Sequence, residues 1–141
     1  MPVKVSKVDL WTAVIDDRAG GAADKLEPLS RAGANFEFVF MRRTPEQPGK
    51  GVMFVTPVKG AKVARAATEA GFSKSDALHG VRLEGTDKPG VTAKVTRALA
   101  DAGVSFRALS ASGHGRKFVD YIAVDTAADA AKAVSALRKL G

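Results

Sequence analysis

The sequence predicts an α+β protein made of two β-α-β-β-α-β units in tandem, each an antiparallel sheet with its helices on one face. Three observations carry that expectation. The chain repeats itself at an offset of 70 residues, the apolar periodicity switches between strand and helix in the same order in both copies, and Gly and Pro punctuate both at matching places.

The repeat is sharpest between residues 14–36, VIDDRAGGAADKLEPLSRAGANF, and residues 84–106, EGTDKPGVTAKVTRALADAGVSF. Identities fall at Asp17/Asp87, Gly20/Gly90, Ala23/Ala93, Leu29/Leu99, Ala32/Ala102, Gly33/Gly103 and Phe36/Phe106, without a gap. The same offset sets Ala70-Gly71 opposite Leu140-Gly141. A chain of 141 residues can therefore be divided into two small units that must share the work of building a core.

In the second copy, Val81 and Leu83 alternate with Arg82 and Glu84 as a half-buried strand does, and Gly85 with Pro89-Gly90 ends it. Val91, Val95, Ala98, Leu99 and Ala102 follow at helical spacing, with Gly103 where a C-terminal cap belongs. Residues 104–110 read as a second strand, a turn around Gly113 and Gly115 follows, residues 118–124 make a third strand, and residues 127–140 a second helix. The first copy repeats the plan, with strands over 9–15, 35–43 and 52–57, a loop holding Pro45, Pro48 and Gly49, and a helix over 61–70. Pro28 lies inside the first helix of this copy, where a lost hydrogen bond costs about 3 kcal/mol unless the helix bends.

The order β-α-β-β-α is one strand short of a ferredoxin-like sandwich. In copy one, residues 72–78 can supply the missing strand. Copy two ends at Gly141 with nothing left, and the N-terminal segment, residues 1–6 with Val3-Lys4-Val5, stands in the register of that connector. The expected division is residues 1–72 and 73–141, with residues 1–6 completing the sheet of the second unit.

Composition narrows the function classes. Apolar residues make up 45% and charged residues 26%, a globular balance, and the net charge is +7. No basic run exceeds two residues, as at Arg42-Arg43, Arg116-Lys117 and Arg138-Lys139, so the charge reads as a solvated surface rather than a nucleic-acid footprint. There is no cysteine, which removes disulfides, thiolate catalysis and thiolate metal sites. No apolar run reaches signal-peptide or membrane-spanning length, and a soluble cytoplasmic protein is expected.

The best duplicated part is the strand-loop-helix junction, Asp17-Arg18-Ala19-Gly20-Gly21 and Asp87-Lys88-Pro89-Gly90-Val91. Asp can cap a helix, Pro suits its first turn, and Gly permits close backbone approach. Such a start also offers unpaired N–H groups to a carboxylate or phosphate, so an ordinary cap and a binding loop are both open readings. With the Ala-Gly cap, the following strand and the duplication, these residues resemble the start of an ACT domain, twice over, across nearly the whole chain.

That resemblance implies a ferredoxin-like fold, no enzymatic activity, and a regulatory, allosteric role in which a free amino acid is bound at interfaces between ACT units. It implies ligand contacts at Asp17, Gly20 and Asn35 in copy one and at Asp87, Gly90 and Ser105 in copy two. Backbone N–H groups at Gly20-Gly21 or Gly90-Val91 would take the carboxylate. It implies a homodimer or a partner enzyme as well. The copies differ: Ala19 replaces Pro89, Lys25 replaces Val95, Pro28 replaces Ala98, and Asn35 stands opposite Ser105. The two sites are expected to be unequal.

Competing readings find less support. His79 and His114 are isolated, Asp16-Asp17 reads as a cap, and the glycines of residues 48–51 and 113–115 read as hairpin turns, not phosphate loops; no cofactor or metal is implied. An RNA-recognition strand over residues 114–121, HGRKFVDY, has Arg116 where the first aromatic belongs and Lys117 where a small residue belongs. Phe118 and Tyr121 fall on opposite faces, with Phe118 in the core. The remaining alternative is a subunit that docks to a metabolic enzyme. Phe36, Phe38 and Phe40 on one side of the second strand, with Val39 and Met41 on the other, predict burial on both faces, one against the helices and the other against a second molecule or a partner.

Overall fold

The structure, a computed structural model, describes residues 2–140; Met1 of the N-terminal segment and Gly141 of the repeat match lie outside the described residues. The elements run β1 (Val3–Val8), β2 (Trp11–Asp16), α1 (Gly21–Arg31), β3 (Phe38–Arg43), β4 (Lys50–Thr56), α2 (Ala61–Glu69), β5 (Ser73–Lys74), β6 (His79–Thr86), α3 (Val91–Asp101), β7 (Ala108–His114), β8 (Lys117–Val124) and α4 (Ala127–Arg138). They form two ferredoxin-like units. The first unit is Asp9–Ser75, and the second joins the segment through Val8 to the chain from Asp76 onward.

In the first unit the sheet order is β3-β4-β2-β5, antiparallel throughout, and β5 is only long enough to pair Lys74 with Trp11 and Ser73 with Thr12. Ala13, Ile15, Leu29, Met53, Val55, Ala67 and Phe72 form its core. In the second unit the order is β1-β6-β8-β7, also antiparallel. Val81, Leu83, Val95, Leu99, Phe118, Ile122, Val124 and Leu137 lie at the centre of its core, with Val3 and Val5 of β1 packed against them. The place beside the first strand of this unit is thus filled by β1, in register from Val3 opposite Gly85 to Val8 opposite Gly80. The chain divides at 75/76, where 72/73 was expected, and residues 3–8 pair within the second unit.

Three of the helices end in the same way, and this displaces the strand starts. Gly33, Gly71 and Gly103 adopt φ of 97°, 95° and 74°, a region open to Gly at little cost. The next residue then donates its amide back across the turn, Ala34 to the Leu29 carbonyl, Phe72 to Ala67 and Val104 to Leu99. The chain consequently spends residues 34–37 and 104–107 crossing from helix to sheet. The second strands begin at Phe38 and Ala108, not at residues 35 and 104, and β7 extends to His114 with Gly113 inside it. Gly115, at φ 63°, makes the hairpin turn.

Two departures of copy one are accommodated. Lys25 replaces an apolar residue but donates its Nζ to the Ala70 carbonyl at 2.7 Å, the C-cap of α2, where a cation is favourable. Pro28 sits inside α1 and its carbonyl still accepts from Ala32. Within the single chain, Val39, Phe40 and Met41 of β3 are exposed, Phe40 by 42%. The reason is that β3 is an edge strand, and the helices cover only one face of its sheet.

Because β1 supplies a whole strand and two core valines to the second unit, deleting residues 1–6 is expected to lower its stability by about 2 kcal/mol or more. Amide hydrogen exchange along β6 reads this directly: protection at β6 lost while β2 and β4 stay protected is the expected result, and unchanged protection contradicts the pairing.

Candidate functional site

Each duplicated loop starts from the same anchor. The Asp17 amide donates to the Gly49 carbonyl at 2.9 Å and the Asp87 amide to the Arg116 carbonyl at 2.8 Å, tying both loops to the hairpin between the second and third strands. Each helix then begins after a glycine in the left-handed region, Gly20 at φ 89° and Gly90 at φ 85°. Neither α1 nor α3 has a side-chain cap, so the reading of Asp16-Asp17 and Asp87 as caps is incorrect. A glycine N-cap leaves first-turn amides without side-chain partners, which is the feature an anion needs.

The acidic groups of the first unit's loop are taken up by cations instead. Asp17 Oδ2 accepts from Arg43 Nε at 2.9 Å, and Asp16 Oδ1 accepts from Lys50 Nζ at 2.7 Å. Lys50 beside it holds the Asp16 carboxyl below the usual carboxylate range. Arg18 pairs with Asp24 of the first helical turn. Gly21, the first residue of α1, is buried, and a Cβ there would lie 2.1 Å from the Asp16 carbonyl oxygen. The loop is internally satisfied and leaves no room beneath it.

In the second unit the same positions are open. Lys88 and Lys94 stand where Arg18 and Asp24 pair in the first, and neither lysine has an ion pair among the described residues. They line a cavity of about 280 Å³ with Pro89, Val91 and Leu140, at the start of α3. Val91 buries its side chain in the core where Gly21 could carry none. The arrangement offers two ammonium groups and uncapped helix amides to one small anion.

Asn35 and Ser105 are brought together with none of these groups. Each lies in the exposed loop after its helix, and the 11 residues of α1 or α3 separate it from the Gly20 or Gly90 end by about 16 Å. The carboxylate and ammonium of an amino acid share one carbon, so Asn35 and Gly20 of one unit cannot hold the same ligand. Asn35 lines a different cavity, of about 270 Å³, with Gly33, Ala34, Glu37, Pro57, Lys59 and Val63.

Asp120 was not singled out from the sequence, although its parity marks it. It belongs to the inward set Phe118, Asp120, Ile122 of β8 and pairs across the sheet with Leu83. It is 1% exposed, and neither carboxylate oxygen has a hydrogen-bond partner among the described residues. Burial pushes its pKa up to about 6, and the charge of Asp87 adds to the effect. The Asp87 carboxylate lies beside Gly113, where a Cβ would come within 3.0 Å of its Oδ2.

On the opposite face of β8, Tyr121 accepts from Arg82 Nε at 3.1 Å, and the guanidinium sits 5.8 Å from its ring centroid. With Phe118 in the core, no pair of aromatics stands on that face for bases to stack on. No described helix is long and apolar enough to cross a membrane, and no described cluster of three or more His, Asp or Glu side chains could hold a metal.

Residues 79–141, within the second unit, match the ACT domain family model. No curated protein matches the chain. Among solved structures, the ligand-free regulatory subunit of aspartate kinase from Thermus thermophilus is similar with a TM-score of 0.68 at 18% identity, covering 99% of this chain and 96% of that one. Protein BT0572 from Bacteroides thetaiotaomicron gives a TM-score of 0.75 at 16% identity over 98% of this chain and 90% of that one. The regulatory subunit of aspartate kinase from Thermus flavus gives 0.62 at 19% identity over 99% and 96%. At these identities the likeness is one of fold.

The buried carboxylate of Asp120 has a measurable consequence. The folded chain holds this proton more tightly than the unfolded chain, whose Asp titrates near 4. Below that pH the group carries no ionisation penalty; between about pH 4 and 6 the penalty grows, and above pH 6 it is fully present, at roughly 3 kcal/mol. Asp120→Asn is therefore expected to raise the denaturant midpoint at pH 8 and to leave it nearly unchanged at pH 4. An equal effect at both pH values contradicts the assignment.

Proposed function

We propose that the protein is a non-enzymatic cytoplasmic regulator, built of tandem ACT-like units, that binds a free amino acid. The observation that carries this reading is the open start of α3, where Lys88, Lys94 and the uncapped amides after Gly90 surround a cavity within the residues that match the ACT domain model. The ligand carboxylate meets the lysines and the Gly90 amide, the Val91 amide being taken by the Lys88 carbonyl at 3.2 Å. The first unit's counterpart, Asp17 to Gly21, is tied up in ion pairs and stays empty. Ser105, at the far end of α3 from Gly90, can add to such a site only from a second molecule, so a homodimer forms part of the proposal.

A second reading has the chain as a subunit that docks to a metabolic enzyme. It is favoured by the similar structures from two Thermus species, which are regulatory subunits of aspartate kinase. Ligand binding and docking are compatible, and the first can be tested alone.

A thermal-shift screen of the twenty amino acids at millimolar concentration is expected to find at least one that raises the midpoint, since a ligand specific to the folded state stabilises it. Replacing Lys88 and Lys94 together by Met is expected to weaken that ligand about tenfold or more, the usual loss for charge-assisted hydrogen bonds. No shift with any amino acid, or an unchanged affinity in the double variant, overturns the proposal.

A further inference from the structure

The two units treat a second place in opposite ways, and the difference defines a site. Glu37 and Arg107 are equivalent: each immediately precedes the second strand of its unit and donates its amide to the third strand, Glu37 to the Thr56 carbonyl at 3.0 Å and Arg107 to Ala123 at 2.8 Å. Lys59 and Asp125 are equivalent as well, each standing one residue before the N-cap of the second helix. In the second unit these positions close on each other. Arg107 Nε pairs with Asp125 Oδ1 at 3.3 Å, a second guanidinium nitrogen reaches the Ala77 carbonyl, and the Thr126 hydroxyl caps α4 by accepting from the Asp129 amide at 3.0 Å.

In the first unit both charges are exchanged and both locks are missing. Glu37 and Lys59 have no ion pair among the described residues, and α2 starts at Gly60 without a side-chain cap. Between them is the cavity of about 270 Å³ that Asn35 also lines, with Pro57 and Val63 as apolar wall. One anion, one cation, an amide and a helix start are thus held around a space, and among the described residues the side chains of Glu37, Lys59 and Asn35 have no partner.

We propose that this cavity of the first unit is a binding site for a small zwitterion, an α-amino acid with an aliphatic side chain. The ligand ammonium meets Glu37, its carboxylate meets Lys59 and the amides at the start of α2, Asn35 bridges the two, and the side chain packs on Pro57 and Val63. The assignment is independent of the α3 cavity and uses residues of one unit only. A salt bridge of reversed polarity in one copy and a ligand in the other satisfy the same pair of positions.

Amide chemical-shift mapping on the full chain tests this with L-valine, L-isoleucine, L-alanine and L-threonine as probes. At least one is expected to perturb the amides of Asn35, Glu37, Gly60 and Ala61, with its affinity reduced about tenfold or more by Glu37→Gln, Lys59→Met or Asn35→Ala. The N-acetyl and the carboxamide derivatives of that amino acid are each expected to bind at least tenfold more weakly. The double substitution Glu37→Arg with Lys59→Asp, which installs the second unit's ion pair, is expected to abolish the perturbation while the chain melts no lower than the parent. Shifts confined to residues 88–94 retain the α3 site and sink this one; shifts at neither place sink both. Binding unaffected by the Glu37 and Lys59 variants, or derivatives bound as well as the free amino acid, also overturns it.

Discussion

Everything in the second unit depends on one backbone ladder, the pairing of β1 with β6. A βαββαβ sheet needs a fourth strand beside its first, because that first strand is central and both of its edges carry N–H and C=O groups that must be paired. In the second unit that place is taken by β1, six residues in continuous register with β6. Val3 and Val5 arrive on the helix side, so the same ladder that satisfies the backbone also completes the core. The first unit meets the same need with the two-residue β5, supported by Phe72, whose amide closes the turn after α2.

On that shared frame the two units have diverged chiefly in their charges. At the start of the first helix, the first unit is sealed by Arg18 with Asp24 and Arg43 with Asp17, while in the second Lys88 and Lys94 have no acidic partners among the described residues. At the other end of that helix the situation reverses, with Arg107 and Asp125 paired in the second unit and Glu37 and Lys59 apart in the first. Exposed ion pairs contribute little stability, of the order of 1 kcal/mol or less. Gaining or losing one therefore hardly affects folding, which leaves these positions free to change from lock to ligand contact.

The fold was legible because the duplication keeps periodicity, Gly and Pro in phase, and two copies of one pattern reinforce each other. The strand starts at residues 35 and 104 were misplaced because Val104 and Phe36 are apolar for another reason: both cover the core during the crossing to the sheet, and the Val104 amide also closes the helix end. Asp17 could not be read correctly from its neighbours. Its partner, Arg43, lies 26 residues away and meets it only once β3 and β4 form a hairpin against β2. Asn35 was placed with Gly20 because a linear pattern carries no sense of the length of the helix between them. Asp120, by contrast, was visible in the alternation of β8 as a charge on the inward side.

The route of β1 also has a consequence for how the chain is made. This strand leaves the ribosome before its partner β6, which follows some 70 residues later, after the whole of the first unit has been synthesised. At 5–20 residues per second the wait is on the order of ten seconds, long enough for the first unit to fold while β1 stays unpaired. Such a ladder closes late and joins the most distant parts of the sequence, which makes it a slow, high-contact-order step. The Lys4, Ser6 and Lys7 side chains interleaved with its valines keep that waiting edge soluble.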